Sequence, residues 1–315
     1  MGNRETGWIV RTRMSSSRGL WAAAAAATLF LITACARPGG TGDGSGGVVP
    51  SGAASPPPAS GAPASASAKT LVLRIERFGG LMAPEQMPGK LPLISLYADG
   101  RLITQGPQIA IYPPPALPNL QVQQLDRATV DALLAKADAA GIRPGIDLGQ
   151  PMVADAPTTR ITMVTGTGAR TLAVVGLTEA AKDDPRLTPA QREARAKVAA
   201  FVQEVVGVPT ANGTPDGQPY RPAALAALAT PYVRPSDRLP EPPHPVDWPG
   251  PALPGTPLGT AGCVTVSGAD AGKVLTAAAD ATTITLWRSG GKMWTVRFRP
   301  LLPDETGCGD LGTPR

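Results

Sequence analysis

Histidine occurs once in this chain, cysteine three times, and aromatic side chains make up only 4% of it. Each scarcity removes a class of chemistry. The lone His244 stands in Glu241-Pro-Pro-His244-Pro, without a cysteine, second histidine or carboxylate at ligand spacing. Ser-His and Cys-His hydrolases need an imidazole held by a third group, and histidine zinc sites need partner ligands. His244 therefore reads as a solvated linker residue, and no metal is expected. No Gly-x-Ser-x-Gly elbow, phosphate loop or dinucleotide fingerprint is present, so no cofactor is expected either. No apolar run reaches the ~20 residues that a spanning helix requires. An excess of positive charge is also missing from most of the chain. The formal net charge is +5, but Arg4, Arg11, Arg13 and Arg18 against Glu5 all precede residue 35, which leaves +2 for the remainder. Nucleic-acid binding needs a basic surface that displaces many counterions, and none is expected here.

What the chain does have begins at its N-terminus. Met14-Ser-Ser-Ser-Arg18 is a positively charged start, Trp21 to Leu31 is apolar or small apart from Thr28, and Ile32-Thr33-Ala34-Cys35 closes the run. These are the three parts of an export signal. The junction resembles the lipobox of bacterial lipoproteins, with an aliphatic residue three places before a cysteine and alanine directly before it. That resemblance implies that Cys35 carries a diacylglycerol thioether and becomes the mature N-terminus. An uncleaved anchor helix is the alternative, and either places the rest of the chain outside the cytoplasmic membrane. One acyl chain binds a bilayer marginally and two bind it stably, so the expected location is the outer face of the cytoplasmic membrane. Met14 alone begins a signal of ordinary length, which would make residues 1–13 an upstream extension.

Composition divides the rest. Residues 35–69 are Gly, Pro, Ala and Ser with too little apolar surface to offset ordering entropy, and read as a disordered tether with a reach of about 30–35 Å. Residues 70–207 carry a repeated grammar. Leu71, Leu73 and Ile75 alternate with Val72, Arg74 and Glu76 as in a strand. Two further strands flank Asp99-Gly100, a pair suited to a type I′ turn, and a short one is expected at Gln121–Gln124. Asp126 is placed to cap a helix with Leu125 and Val130 as its staple, and Val130, Leu133, Leu134 and Ala137 form its apolar stripe. Arg160–Val164 and Arg170–Val175 make a second hairpin. Thr188-Pro189-Ala-Gln191 is a capping box that opens a second helix, with Val198, Phe201, Val202 and Val205 inward. Hairpin, helix, hairpin, helix predicts the α+β class, with helices on one face of an antiparallel sheet.

Prolines crowd residues 208–259, which read as a linker or strap with one short helical turn over 223–229. Residues 260–315 predict a small β-α-β-β unit. Its hairpin turns at Gly290-Gly291, which sets Trp287 opposite Trp294. Those two indoles are either core or an exposed binding stripe of the residue type enriched at interface hot spots. Cys263 and Cys308, the pair left after Cys35, are most simply a disulfide in an exported protein. Closing that loop contributes about 4 kcal/mol in the chain-entropy account. Cys308 lies in Thr-Gly-Cys-Gly, superficially like the cysteine of wall transpeptidases, but the upstream histidine of that family is missing.

Carboxylates are the remaining candidates for catalysis. Asp147 and Asp155 flank a Gly/Pro loop, and Asp183-Asp184 precedes the second helix. A glycosidase needs two carboxyls at a set separation beside a sugar cleft, whereas loop solvation and helix-end charge explain the same residues without catalysis. The phrases Leu96-Tyr-Ala-Asp-Gly-Arg101, Thr158-Thr-Arg-Ile161 and Arg299-Pro-Leu-Leu-Pro-Asp-Glu305 resemble secreted lipoproteins of actinobacteria, a likeness that implies a location and no activity. The expected function is a non-catalytic, lipid-anchored interaction or accessory module that meets an envelope protein or wall polymer. The alternative is an envelope hydrolase that works with carboxylates alone.

Overall fold

The structure, a computed structural model, describes residues 66–234 and 244–311. The expectations for Met14, Cys35 and the tether up to residue 65 lie outside the described residues. After a single helical turn, α1 (Ala66–Lys69), the chain builds a seven-stranded sheet. Its strands are β1 (Leu71–Gly79), β2 (Ile94–Tyr97), β3 (Arg101–Gln105), β4 (Leu120–Gln124), β5 (Pro157–Thr165), β6 (Gly168–Val175) and β7 (Gln218–Pro219). They lie in the order β6-β5-β1-β2-β3-β4-β7, and every neighbouring pair is antiparallel. Alternation along β1 sends Leu73 and Ile75 to one face, where α2 (Arg127–Ala139) and α3 (Pro189–Gly207) cover them with Val130, Leu133, Val198 and Phe201. Both helices start as their sequences dictate. Asp126 accepts from the Thr129 amide at 2.7 Å, and Thr188 and Gln191 close a reciprocal capping box. The mixed α+β architecture with antiparallel sheets is the predicted one.

The turn after β2 differs from expectation. It spans three residues, 98–100, and only Gly100 has positive φ, at +88°, so it is a type I turn closed by a left-handed glycine and not a type I′ turn. The reason is local crowding. The Leu125 amide donates to the Gly100 carbonyl at 2.9 Å, and a Cβ on Gly100 would come within 2.4 Å of the Leu125 oxygen.

A second sheet follows, built from β8 (Ala224–Pro231), β9 (Val246–Asp247), β10 (Thr256–Leu258), β11 (Ala261–Ser267), β12 (Leu286–Ser289) and β13 (Lys292–Pro300). Its order is β10-β11-β8-β13-β12-β9, antiparallel except for the β9–β12 pair. Of the stretch 223–229, expected as a helical turn, residues 224–229 are strand instead. Ala224-Leu-Ala-Ala-Leu-Ala has high helix propensity, but it lies between the open edges of β11 and β13 and pairs with both. Thus β11 and β13 are never neighbours, and the proline-rich stretch completes the sheet formed by the C-terminal strands. Helix α4 (Gly268–Ala279) packs on one face through Ala271, Val274 and Ala278. The β12–β13 turn has positive φ at both Gly290 and Gly291, as a type I′ turn requires, and Trp287 pairs with Trp294.

The two sheets meet through the segment that runs on from β13. Leu301 packs with Ala226, Leu228 and Cys263 on the second sheet, while Leu302 packs with Tyr97, Ile103 and Leu120 on the first. The sulfurs of Cys263 and Cys308 are 2.02 Å apart, at disulfide distance. The β3–β4 connection also reaches across, with the Thr283 amide donating to the Pro114 carbonyl at 2.9 Å and the Ala116 amide to Ala281 at 3.0 Å.

Candidate functional site

Strand alternation gives β1 a second face, and its residues are Arg74, Glu76 and Phe78. In a sheet with one solvated face these would meet water. Here the C-terminal segment covers them, so Arg74 is 5% exposed and its charge must be matched. It donates to Asp304 at 2.8 Å and to Ser95 at 3.1 Å, and the Tyr97 hydroxyl donates to the same Asp304 oxygen at 2.7 Å. Burial, then the adjacent carboxylate, raises the Tyr97 phenol above its ordinary value, so it stays a donor. Arg299 on β13 forms a bidentate pair with Glu305 at 2.9 and 3.0 Å and donates from Nε to the Lys90 carbonyl at 3.2 Å. Glu305 also accepts the Leu302 amide at 2.8 Å. Consecutive acidic residues, Asp304 and Glu305, thereby fix one arginine on each sheet.

Beside this seam opens a cleft of about 280 Å³, lined by polar groups and by Phe78, Met87, Leu91, Leu258 and Leu311. At its wall Glu76 on β1 stands directly opposite Arg160 on β5. The Arg160 guanidinium lies 4.2 Å over the Phe78 ring, a cation–π contact that fixes its plane. Its nearest carboxylate oxygen, on Glu76, is 3.7 Å away, and it donates no hydrogen bond to any described residue although its side chain is only 12% exposed. Burial raises the Glu76 carboxyl above its ordinary value, with Arg74 and Arg160 offsetting part of that rise. The other arginines of the cleft are matched: Arg74 by Asp304, Arg299 by Glu305 and Arg77 by Glu179, while Lys90 is exposed. Glu76 and Arg160 are the pair that touches without hydrogen bonding.

The four aspartates singled out in the sequence lie elsewhere. Asp147 accepts the Gly149 amide at 2.9 Å and Gln191 Nε2 at 2.9 Å, and these two bonds hold its carboxyl below the ordinary value. Asp184 accepts the Arg186 amide at 2.9 Å and the Met152 amide at 2.6 Å, bonds that hold it low as well. Both secure the loops at the start of α3. Asp183 and Asp155 are exposed, and Asp155 adopts a left-handed backbone at φ 50°. His244 is exposed beside β9. Among the described residues, no group of three or more His, Cys, Asp or Glu is placed to hold a metal ion.

Trp287 and Trp294 are buried, at 1% and 6% exposure. Trp248 from the proline-rich stretch meets Trp287 edge-on at 5.5 Å, and Phe298 meets it edge-on at 5.7 Å. The face they present is closed by α4 and Trp248, so they carry no surface stripe. Sequence reading passed over Arg74, Glu76, Tyr97, Arg160, Arg299, Asp304 and Glu305. The available signal was an Arg-x-Glu-x-Phe alternation opposite the aliphatic Leu71, Leu73 and Ile75, with an aromatic placed on the otherwise polar side. Among the described residues, no helix is long and apolar enough to cross a membrane. Compared with known proteins, the chain matches no family model, no curated protein and no solved structure.

Proposed function

We propose that this chain is a lipid-anchored envelope protein, held through Cys35 at the outer face of the cytoplasmic membrane, whose folded part acts as a non-catalytic binding module. The export-type N-terminus and the Ile-Thr-Ala-Cys junction support the anchor. The observation that carries the binding reading is how the acidic groups are used. Asp147 and Asp184 are committed to backbone amides, and in the cleft Glu305 is held by Arg299 and Glu76 stands against Arg160. A carboxylate-only hydrolase needs two carboxyls that share a substrate across a defined gap. A small cleft with arginine-held acids and apolar lining suits recognition of a ligand better than cleavage of a polymer.

The experiment has two arms. Mass spectrometry of the membrane fraction is expected to find Cys35 as an acylated N-terminus, and Cys35→Ala to release the protein or leave it unprocessed. Recovery of residues 14–34 on the mature chain refutes the anchor. Proximity labelling on intact cells is expected to identify envelope partners. Hydrolysis of wall polymer that is abolished by alanine at Asp147, Asp155, Asp183 or Asp184, with folding intact, refutes the non-catalytic reading.

A further inference from the structure

We infer that the cleft beside the seam is a site for a small α-amino carboxylate with an apolar side chain, its ammonium received by Glu76 and its carboxylate by Arg160. This rests on the binding-module reading and gives it a ligand class. Once the hydrogen-bonded pairs are set aside, the cleft wall retains Glu76 and Arg160 in direct cross-strand register, 3.7 Å apart and neither side chain in a hydrogen bond, with the exposed Lys90 as a further cation of the lining. Asp310 is taken up by Thr306, whose hydroxyl donates to it at 2.8 Å. The Arg160 guanidinium, 12% exposed, presents five N–H donors to the cleft with no acceptor among the described residues, so an anionic ligand is the partner it can still take.

The complement of a fixed anion–cation pair is a ligand with the reverse pair at similar spacing. An α-amino carboxylate is the smallest organic group that has one. Its carboxylate takes the planar, Phe78-stacked guanidinium by two parallel hydrogen bonds, the geometry in which arginine is strongest. Its ammonium replaces Arg160 as the near partner of Glu76, a carboxyl whose charge is otherwise disfavoured by burial. A phosphate would find Arg160 and Lys90 but would also face Glu76, Glu305 and Asp310, three carboxylates with which it can share no proton-free contact. A simple carboxylic acid would satisfy Arg160 and leave Glu76 without a donor. Met87, Leu91, Leu258 and Leu311 give the body of the ligand an apolar wall. The volume of about 280 Å³ lies at the small end of ligand sites, which suits one amino acid and not a polymer segment.

Isothermal titration calorimetry on the full chain in detergent at neutral pH tests this with L-leucine and L-phenylalanine as probes. Saturable binding of at least one is expected. N-acetyl-L-leucine, which lacks the ammonium, L-leucinamide, which lacks the carboxylate, and glycine, which lacks the apolar body, are each expected to bind at least tenfold more weakly. Glu76→Gln and Arg160→Gln are each expected to weaken leucine binding at least tenfold, and Arg160→Lys, which keeps the charge but not the fork, by less than Arg160→Gln. Circular dichroism melts confirm that the variants are folded; if Arg160→Gln is not, Glu76→Gln and the probe series decide. No saturable binding at millimolar concentration, equal binding of N-acetyl-L-leucine, or binding unchanged in Glu76→Gln overturns the inference. Those outcomes with membrane retention and partner labelling intact refute the ligand alone, whereas polymer hydrolysis refutes the module itself.

Discussion

The two sheets solve the same packing problem with opposite materials. The first fills its covered face with Leu73, Ile75, Ile94, Leu96, Ile161 and Met163 and takes its volume from branched aliphatics on well-capped helices. The second has alanines at Ala226, Ala227 and Ala229 in its central strand, and aromatic rings supply the missing volume. The first pairs mainly strands that are close in sequence. The second inserts β8 between strands that come dozens of residues later. Small side chains at the centre let α4 and the rings approach closely on one face and Leu301 on the other. The difference teaches that a core can be bought with a few large side chains placed by distant segments, at the expense of sensitivity to each one.

Perturbations should expose that contrast. Trp287→Ala is expected to have the largest effect, about 4 kcal/mol of lost stability in urea unfolding, because a cavity opens beside Trp248 and Phe298 where the largest fully buried side chain stood. A loss well under that of an aliphatic truncation such as Leu96→Ala would break the comparison. Arg299→Leu follows, at about 3 kcal/mol, since it leaves Glu305 buried without its cation. The double change Arg299→Leu with Glu305→Leu is expected to recover most of that loss, and failure to recover would show that the seam is not an electrostatic joint. Cys308→Ser, or mild reduction, is expected to lower stability by about 2–4 kcal/mol. Amide exchange should show the effect concentrated on the second sheet and the C-terminal segment, where the cysteine pair sits. Thr188→Ala removes the α3 cap and is expected to cost about 1 kcal/mol, confined to the first sheet and its helices.

The smallest expected effect has the opposite sign. The Glu76 carboxyl is raised in the folded chain, so folding holds its proton more tightly than the unfolded chain does. Its charge therefore subtracts stability as pH rises through and above its ordinary value of 4.5. Glu76→Gln is expected to melt no lower than the wild type at neutral pH, with the difference closing as the solution is acidified. Asp184 runs the other way: held low by two amides, it adds stability above the ordinary carboxylate range and loses it as pH falls. Thermal melts of Glu76→Gln and Asp184→Asn from pH 3 to 7 compare the two slopes.

What the sequence made legible follows from how local each signal is. The capping box at Thr188, the Asp126 cap, the Gly290-Gly291 turn and the Trp287–Trp294 register depend on residues a few places apart, and each has its predicted form. Strand β8 was not legible, because its propensity is helical and its strand character comes from β11 and β13. The cleft was hidden for a related reason. Arg74 and Glu76 follow the polar-out half of an ordinary alternation, and only residues some 230 places later turn that face into an interior. Of the aspartates near α3 that drew notice, Asp147 and Asp184 have an equally local role, in fastening loops, and Asp155 and Asp183 are exposed.

Asp304 and Glu305 have one more consequence, for the fate of incomplete chains. A polypeptide emerging from its N-terminus can assemble the strands of the first sheet up to β6 with Arg74 already in place. It has no anion for that guanidinium until the two acidic residues arrive, almost at the far end. A chain cut before them keeps two cations on surfaces that ought to be joined, with Leu301 and Leu302 missing or unseated. Such a fragment exposes both sheet faces and repels its own closure. A chain truncated before Asp304 is therefore expected to be cut by added protease faster than the full chain.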